Sequence, residues 1–499
     1  MVKGQGIDMK KAKRYISGMT LLIMAAGLLQ ACGSDQSGEV TSGQGDTDTT
    51  TVETEAPKET PATTQADFGG AEINFMIDTV VQWEHKNDLG TGEQNGDVLN
   101  DAYYDRNRKV EDALNVRITN TKTDSKTSDG YKEISKMILA GDNTYSAMIA
   151  RAYSAFSLAQ ENYLLDLGSI GSLDMTHSWW DAGAVEGLTF GGHNFMLTGD
   201  ISTIINDSTC VMLFNKKLID DFALDDPYEL VRNNGWTFDK FGEMSAVVAG
   251  DLDGNGEYDE NDRYGALIWD DSMMAAVNAA GEKCCTVIDG KVELTLNTER
   301  TVNTVTKYLS IVTDKTRCFA YQRLSGDNQA VADNMFIDNR SLFDLTLIDT
   351  ISSFRNMETD FGILPYPKYD EAQDRYYTNV ASYPAVFLAV PSNVGDPEMI
   401  GTVLDMLGYA SQEIVRPAYY DKVLVGKYIR DDESRDTLDI LFSTRVYDAG
   451  WYLAVGGYNE RIMDIFRKPG TDFSSMYAKY ETKAVSQIEK INEAFAADS

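Results

Sequence analysis

The run Asp251-Leu252-Asp253-Gly254-Asn255-Gly256-Glu257-Tyr258-Asp259-Glu260-Asn261-Asp262 puts oxygen-bearing side chains at loop positions 1, 3, 5, 9 and 12, with glycine at position 6. Hard carboxylate and amide oxygens at alternate positions of a turning loop suit Ca²⁺, and Glu257 adds a backbone carbonyl. The expected ligands are Asp251, Asp253, Asn255, Glu257, Asp259 and Asp262. Position 12 is Asp rather than the usual bidentate Glu, which makes Glu260, beside Asp259, a competing donor. The plain alternative is a solvated acidic turn that binds no ion. No paired loop accompanies it, so the expectation is a structural ion rather than a sensor.

A second reactive position is Cys32. Lys3, Lys10, Lys11, Lys13 and Arg14 precede an apolar stretch, Ile16 to Ala31, that ends in Leu29-Gln30-Ala31-Cys32-Gly33-Ser34. This is the pattern of a signal peptide over 1–31, and its end resembles the bacterial lipobox, in which the cysteine receives diacylglycerol. The resemblance implies cleavage before Cys32 and a chain held by acyl groups on the extracellular face of the cell membrane. An uncleaved signal anchor is the alternative. Cys210, Cys284, Cys285 and Cys318 show no Cys-x-x-Cys spacing and read as buried free thiols. His85, His177 and His193 are dispersed, with no zinc helix, nucleophile elbow or phosphate loop near them. Catalysis would then rest on a carboxylate pair, which 78 acids leave open.

The elements that position these residues follow from composition and periodicity. The 499 residues hold 44 Lys+Arg and 78 Asp+Glu, a net charge of −34, so a nucleic-acid partner is not expected. Removing residues 1–31 leaves −38, because most of the clustered basicity lies in that leader. Residues 33–66 contain nine threonines, seven acids and no aromatic, too little apolar surface to fold; 32–66 therefore reads as a lipidated cysteine and a disordered tether. From residue 67 strand-like and helix-like patterns alternate, the mark of an α/β fold. Ile73-Asn74-Phe75-Met76-Ile77 alternates as a strand, Asp97 caps a helix through Leu114, and strands follow at Val116-Arg117-Ile118 and Ala147–Ala150. Asn334-Met335-Phe336-Ile337 reads as a further strand, and Tyr477 to Phe495 as a long amphipathic helix.

In this order the strings become recognisable. Arg106-Asn107-Arg108-Lys109-Val110-Glu111-Asp112-Ala113-Leu114-Asn115-Val116, Asn162-Tyr163-Leu164-Leu165-Asp166-Leu167, Leu213-Phe214-Asn215-Lys216-Lys217-Leu218, Gly235-Trp236-Thr237-Phe238 and Phe361-Gly362-Ile363-Leu364-Pro365-Tyr366 carry the likeness. Together with the lipobox, tether and Asp-rich loop, they resemble the extracellular solute-binding proteins of bacterial ABC transporters, in the family 1 sugar-binding branch. The resemblance implies a periplasmic-binding-protein-like fold of type II, two α/β lobes joined by hinge strands around a ligand cleft. Lobe 1 is expected to hold 67–197 and about 390–445. Lobe 2 is expected to hold about 203–385 and about 446–499. It also implies a monomer that captures a carbohydrate, hands it to ABC permease subunits, and does no chemistry itself. A peptide or other small polar solute, or a secreted glycan hydrolase, are the alternatives.

Sugars are held by aromatic faces on ring C–H surfaces and by carboxylates, amides and guanidinium groups on hydroxyls. Cleft-facing loops then give Trp83 and Glu84, Arg151 and Tyr153, Asp200, Trp269 and Asp270, Asn339 and Arg340, Tyr383 and Trp451 as expected ligand contacts, with Tyr447 a further candidate. Trp236 reads as packing beside an N-cap, and of Trp179 and Trp180 one is expected to pack and one to be exposed.

Overall fold

Ile73, Phe75 and Ile77 point to one face of their strand and Met76 to the other, and all four are buried, as in a strand covered by helices on both sides. The computed structural model describes residues 59–123, 130–324, 328–425, 432–468 and 470–496. The chain divides between Lys58 and Glu59, and everything described belongs to the second part. The signal peptide, Cys32 and most of the tether fall outside the described residues.

Two sheets are built from β1 (Ala71–Ile77), β2 (Val116–Lys122), β3 (Ala147–Arg151), β4 (Cys210–Asn215), β5 (Tyr264–Ile268), β6 (Cys318–Ala320), β7 (Ser341–Leu347), β8 (Phe361–Leu364) and β9 (Val386–Ala389). The first sheet has the order β9-β3-β1-β2, with β1, β2 and β3 parallel and β9 antiparallel to β3. The second has the order β6-β5-β7-β4-β8, with β4 antiparallel to both its neighbours. Parallel neighbours need helical crossovers, and the chain supplies them. The first is α1 (Val98–Leu114), where the Asp97 carboxylate accepts from the amides of Leu99 and Asn100. Its far end turns at Asn115, held at φ +46°, directly into β2. Val110 and Leu114 pack against Ile73 and Phe75, each such burial worth about 1.5–3 kcal/mol.

Two connections run between the lobes. Leu197 and Leu388 exchange backbone hydrogen bonds of 2.9 and 2.8 Å at the edge of the first sheet, and 198–202 then crosses to the second lobe. The chain returns through 381–385, where the Ala152 amide donates to Ala385 O at 2.9 Å.

Four expectations need correction. Residues 328–337 are helical (Asn328–Ile337), because Ala332, Met335 and Phe336 bury one helical face where Asn334–Ile337 had suggested a strand. The helix Asp432–Ser443, expected in lobe 1, packs Leu438 and Leu441 with Phe361 and Ile363 of the second sheet. The C-terminal helix Phe473–Ala496 belongs to neither lobe alone. Its Asn492 side chain bonds both backbone groups of Val292 in the second lobe, while Phe495 stacks 4.7 Å from Phe190 in the first. Finally, the body starts before residue 67: Pro61 is buried, and the Glu59 carboxylate accepts from the Ser178 amide at 2.9 Å.

Candidate functional site

The loop that follows β1 is held by Asp78, which is fully buried. Its carboxylate accepts from Arg151 Nε at 3.1 Å, Ser154 Oγ at 2.9 Å and Thr123 Oγ1 at 3.1 Å, tying together the C-terminal ends of β1, β2 and β3. The next residues form a single 3₁₀ turn, Val81–Trp83, which seats the Trp83 ring at the cleft. Opposite it, the C-terminal ends of β5, β6 and β7 deliver Trp269, Tyr321 and Leu345–Leu347, and a 3₁₀ segment, Ile348–Phe354, continues the wall. Trp269 and Tyr321 lie with ring centroids 5.2 Å apart. Tyr383, half exposed on the returning connection, reaches Gln82 Oε1 at 3.5 Å across the mouth.

These residues enclose a cavity of about 500 Å³. Trp83, Trp269, Tyr321, Tyr366 and Tyr383 give it aromatic walls, and Gln82, Asp271, Gln329, Asp349 and Thr350 give hydrogen-bonding groups. Among its described lining residues none is Lys or Arg. An apolar wall with a few polar groups placed at the C-terminal ends of strands, between two lobes, is the usual build of a small-ligand site.

Burial, and then the neighbouring charge of Asp270, push Asp271 up to about 7. Asp270 is itself buried and ion-paired to Arg467. Behind the same wall, Asp344 on β7 is fully buried with neither carboxylate oxygen hydrogen-bonded, and burial aided by Asp333 holds it well above the ordinary carboxylate range.

No protein-family model and no curated protein matches the sequence. Solved structures do match. The galacto-N-biose/lacto-N-biose I-binding protein of an ABC transporter from Bifidobacterium longum, in complex with lacto-N-biose, gives a TM-score of 0.58 at 14% identity over 85% of this chain and 98% of that one. A cyclo/maltodextrin-binding protein complexed with maltotetraose gives 0.56 at 12% identity over 84% and 97%. An ABC substrate-binding protein from Listeria monocytogenes in complex with cycloalternan gives 0.53 at 13% identity over 85% and 98%. The fold is that of a type II periplasmic binding protein.

Within this binding-protein fold the expected contacts separate into two groups. Trp83, Trp269 and Tyr383 line the cleft cavity. The others lie outside its lining. Glu84 is exposed, its backbone carbonyl taken by Lys122. Arg151 is spent on Asp78, and Asp270 on Arg467. Tyr153 accepts a hydrogen bond from the Asn459 amide at 3.3 Å. Trp451 is buried and donates to Asn278 Oδ1 at 3.2 Å, and Tyr447 is buried against Asp181. Asn339 and Arg340 precede β7 and so sit at the end of the sheet away from the cleft, where Asn339 accepts from Asn215 and Arg340 donates to the Glu260 carbonyl. Trp179 and Trp180 are both buried, their indoles donating to one oxygen of Asp405. Asp200 lines a separate cavity at the first crossover, 3.7 Å from Arg416; burial pushes it up to about 6.

Sequence reasoning missed Tyr321, Gln329 and Asp349. The strand read at Asn334–Ile337 put the cleft loop at Asn339 and Arg340, whereas the strand of this wall is β7 (Ser341–Leu347) and Asp349 follows its far end.

The Asp-rich loop turns as its glycines require, with Gly254 at φ +72° and Gly256 at φ +82°. Asp251 accepts from the amides of Gly254 and Gly256 at 2.7 and 2.8 Å, and fully buried Asp262 accepts from Leu252 and Asp259. Carboxylate oxygens of Asp251, Asp253 and Asp262 lie within 4.8 Å of one another, a donor set that fits a hard divalent cation. Asp259 and Glu260 fall outside that trio, and the Asp259 carboxylate accepts from the Asn261 amide at 2.8 Å. The four cysteines in the described residues are free and buried.

Proposed function

We propose that this chain is an extracellular solute-binding protein that captures a neutral oligosaccharide in the cleft cavity and delivers it to an ABC import permease, held at the membrane by lipid on Cys32. The observation that carries the reading is the cavity itself: aromatic faces and mostly uncharged or acidic hydrogen-bonding groups from both lobes, with no Lys or Arg among the described lining residues. Aromatic faces suit pyranose rings. The sugar-bound proteins of the same fold support it. The reading gives the protein no catalytic step; recognition by the permease rests on closure of the lobes around the solute.

A thermal-shift screen of the full chain in detergent against lacto-N-biose, maltotetraose and cycloalternan tests it. A sugar at one hundred times its Kd adds about 2.7 kcal/mol to stability and raises Tm, with the sugar recovered intact. A shift with a peptide pool and with no oligosaccharide contradicts the ligand class, and release of reducing ends contradicts the absence of chemistry.

The same reading places a structural Ca²⁺ in the Asp-rich loop, held by Asp251, Asp253 and Asp262 with Asn255 and the Glu257 carbonyl. An ion there would neutralise part of a concentrated negative charge. Chelation with EGTA is expected to lower Tm, and added Ca²⁺ to restore it; an unchanged Tm removes the ion from the account.

A further inference from the structure

One cation joins the two walls of the cleft. Lys86 lies three residues beyond Trp83 in the first lobe, and its side chain is only 12% exposed. Its ammonium donates to Asp207, in the short helix Thr203–Asp207 at the first crossover, and to Asp349 Oδ1 at 2.7 Å in the 3₁₀ segment of the second lobe. The same Nζ stands 4.6 Å from the centroid of the Trp83 ring. Asp207 also accepts from the Tyr419 hydroxyl at 2.8 Å, which anchors it to the long helix Pro397–Val425. Trp83 and Asp349 both line the cavity, but Lys86 does not.

A poorly solvated ammonium needs its carboxylates, and they need it: removing one partner leaves the others' charge uncompensated, whereas parting the lobes lets water take up all three. The cost of losing Lys86 is therefore relieved by opening.

We propose that Lys86 is a positioning residue that ties the two lobes, fixing Trp83 and Asp349 at their places in the cavity walls without touching ligand. The cavity's role as a sugar site matters only for the consequence of this tie. The tie itself is testable with no sugar present, so a failed sugar screen and a failed distance measurement are separate results.

Spin labels on the full chain in detergent, placed by Glu93→Cys and Glu358→Cys at exposed positions of the two lobes, report the separation by pulsed electron resonance. Lys86→Met and Asp349→Asn are expected to shift the distance distribution outward by several ångströms, and Lys86→Arg to keep it near the parent's. The double variant is expected to open no further than Lys86→Met alone. A Lys86→Met distribution that superposes on the parent overturns the proposal, as does an opening that adds between the two substitutions. If Lys86→Met does not fold, Asp349→Asn, which keeps the Lys86–Asp207 pair, decides alone: outward displacement supports the tie and an unmoved distribution overturns it.

Discussion

Two cavities flank the region where the lobes meet, and the larger is the poorer candidate for a ligand. The one at the first crossover measures about 660 Å³ against about 500 Å³ for the one in the cleft, and it too has aromatic and charged lining residues. Most of its charges are paired with one another, although one oxygen of Asp200 is buried without a hydrogen bond. Arg445 lies 3.3 Å from Asp181 and also donates to Asn206, Arg416 faces Asp200, and the Tyr420 hydroxyl donates to Asp439 at 3.0 Å. The cleft cavity instead sets five aromatic rings around amides, hydroxyls and two carboxylates, of which Asp349 is paired to Lys86. Volume does not single out a binding site; the supply of polar groups that a solute can still engage does.

That contrast breaks if the crossover cavity is also a ligand site. Arg445→Met is expected to cost about 3–5 kcal/mol of stability in a urea melt, because it leaves Asp181 without its buried cationic partner, and to leave oligosaccharide affinity unchanged at 25 °C. Lost affinity in a still-folded variant would make the two cavities equivalent. The complementary change, Trp269→Ala, is expected to weaken sugar binding by about 2 kcal/mol, roughly 30-fold, while also lowering the urea midpoint through the lost packing on Tyr321.

Proton linkage touches both cavities. Asp271 titrates near 7 in the folded chain, against an ordinary value of 3.8. Between those two pH values the native form keeps a proton that the unfolded chain has lost. Its contribution to stability is thus complete below the lower value and declines as pH rises, by at most about 1.4 kcal/mol per pH unit. Asp200, up to about 6, acts in the same direction over a narrower window. Asp271→Asn is expected to flatten the fall of stability between pH 5 and pH 7, read from urea melts at each pH. A slope equal to the parent's would show that Asp271 is ionised in the cleft.

Much of the first lobe was legible because its signals are local. The alternation of Ile73 to Ile77, the Asp97 cap and the helical spacing from Leu99 to Leu114 each need only a few neighbouring residues. Trp83 and Trp269 could be placed at the cleft because each follows a strand closely. Arg151 and Trp451 could not be told from them, because what removes them from the site is a partner far along the chain: Asp78, 73 positions away, and Asn278, 173 positions away. The short run Asn334–Ile337 fits a strand or one turn of helix equally well, and only its burial beneath Phe354 and Phe361 distinguishes them. With that segment misread, the cleft wall from Tyr321 to Asp349 had no frame to hang on.

Calorimetric titration of the full chain in detergent with maltotetraose, lacto-N-biose and cycloalternan, followed by chromatography of the recovered sugar, decides whether the cleft captures a sugar. The expected result is saturable one-to-one binding of at least one of them, weakened by Trp269→Ala, unaffected by Arg445→Met, with the sugar returned intact. Binding of none of the three, or cleavage of the one that binds, would contradict it.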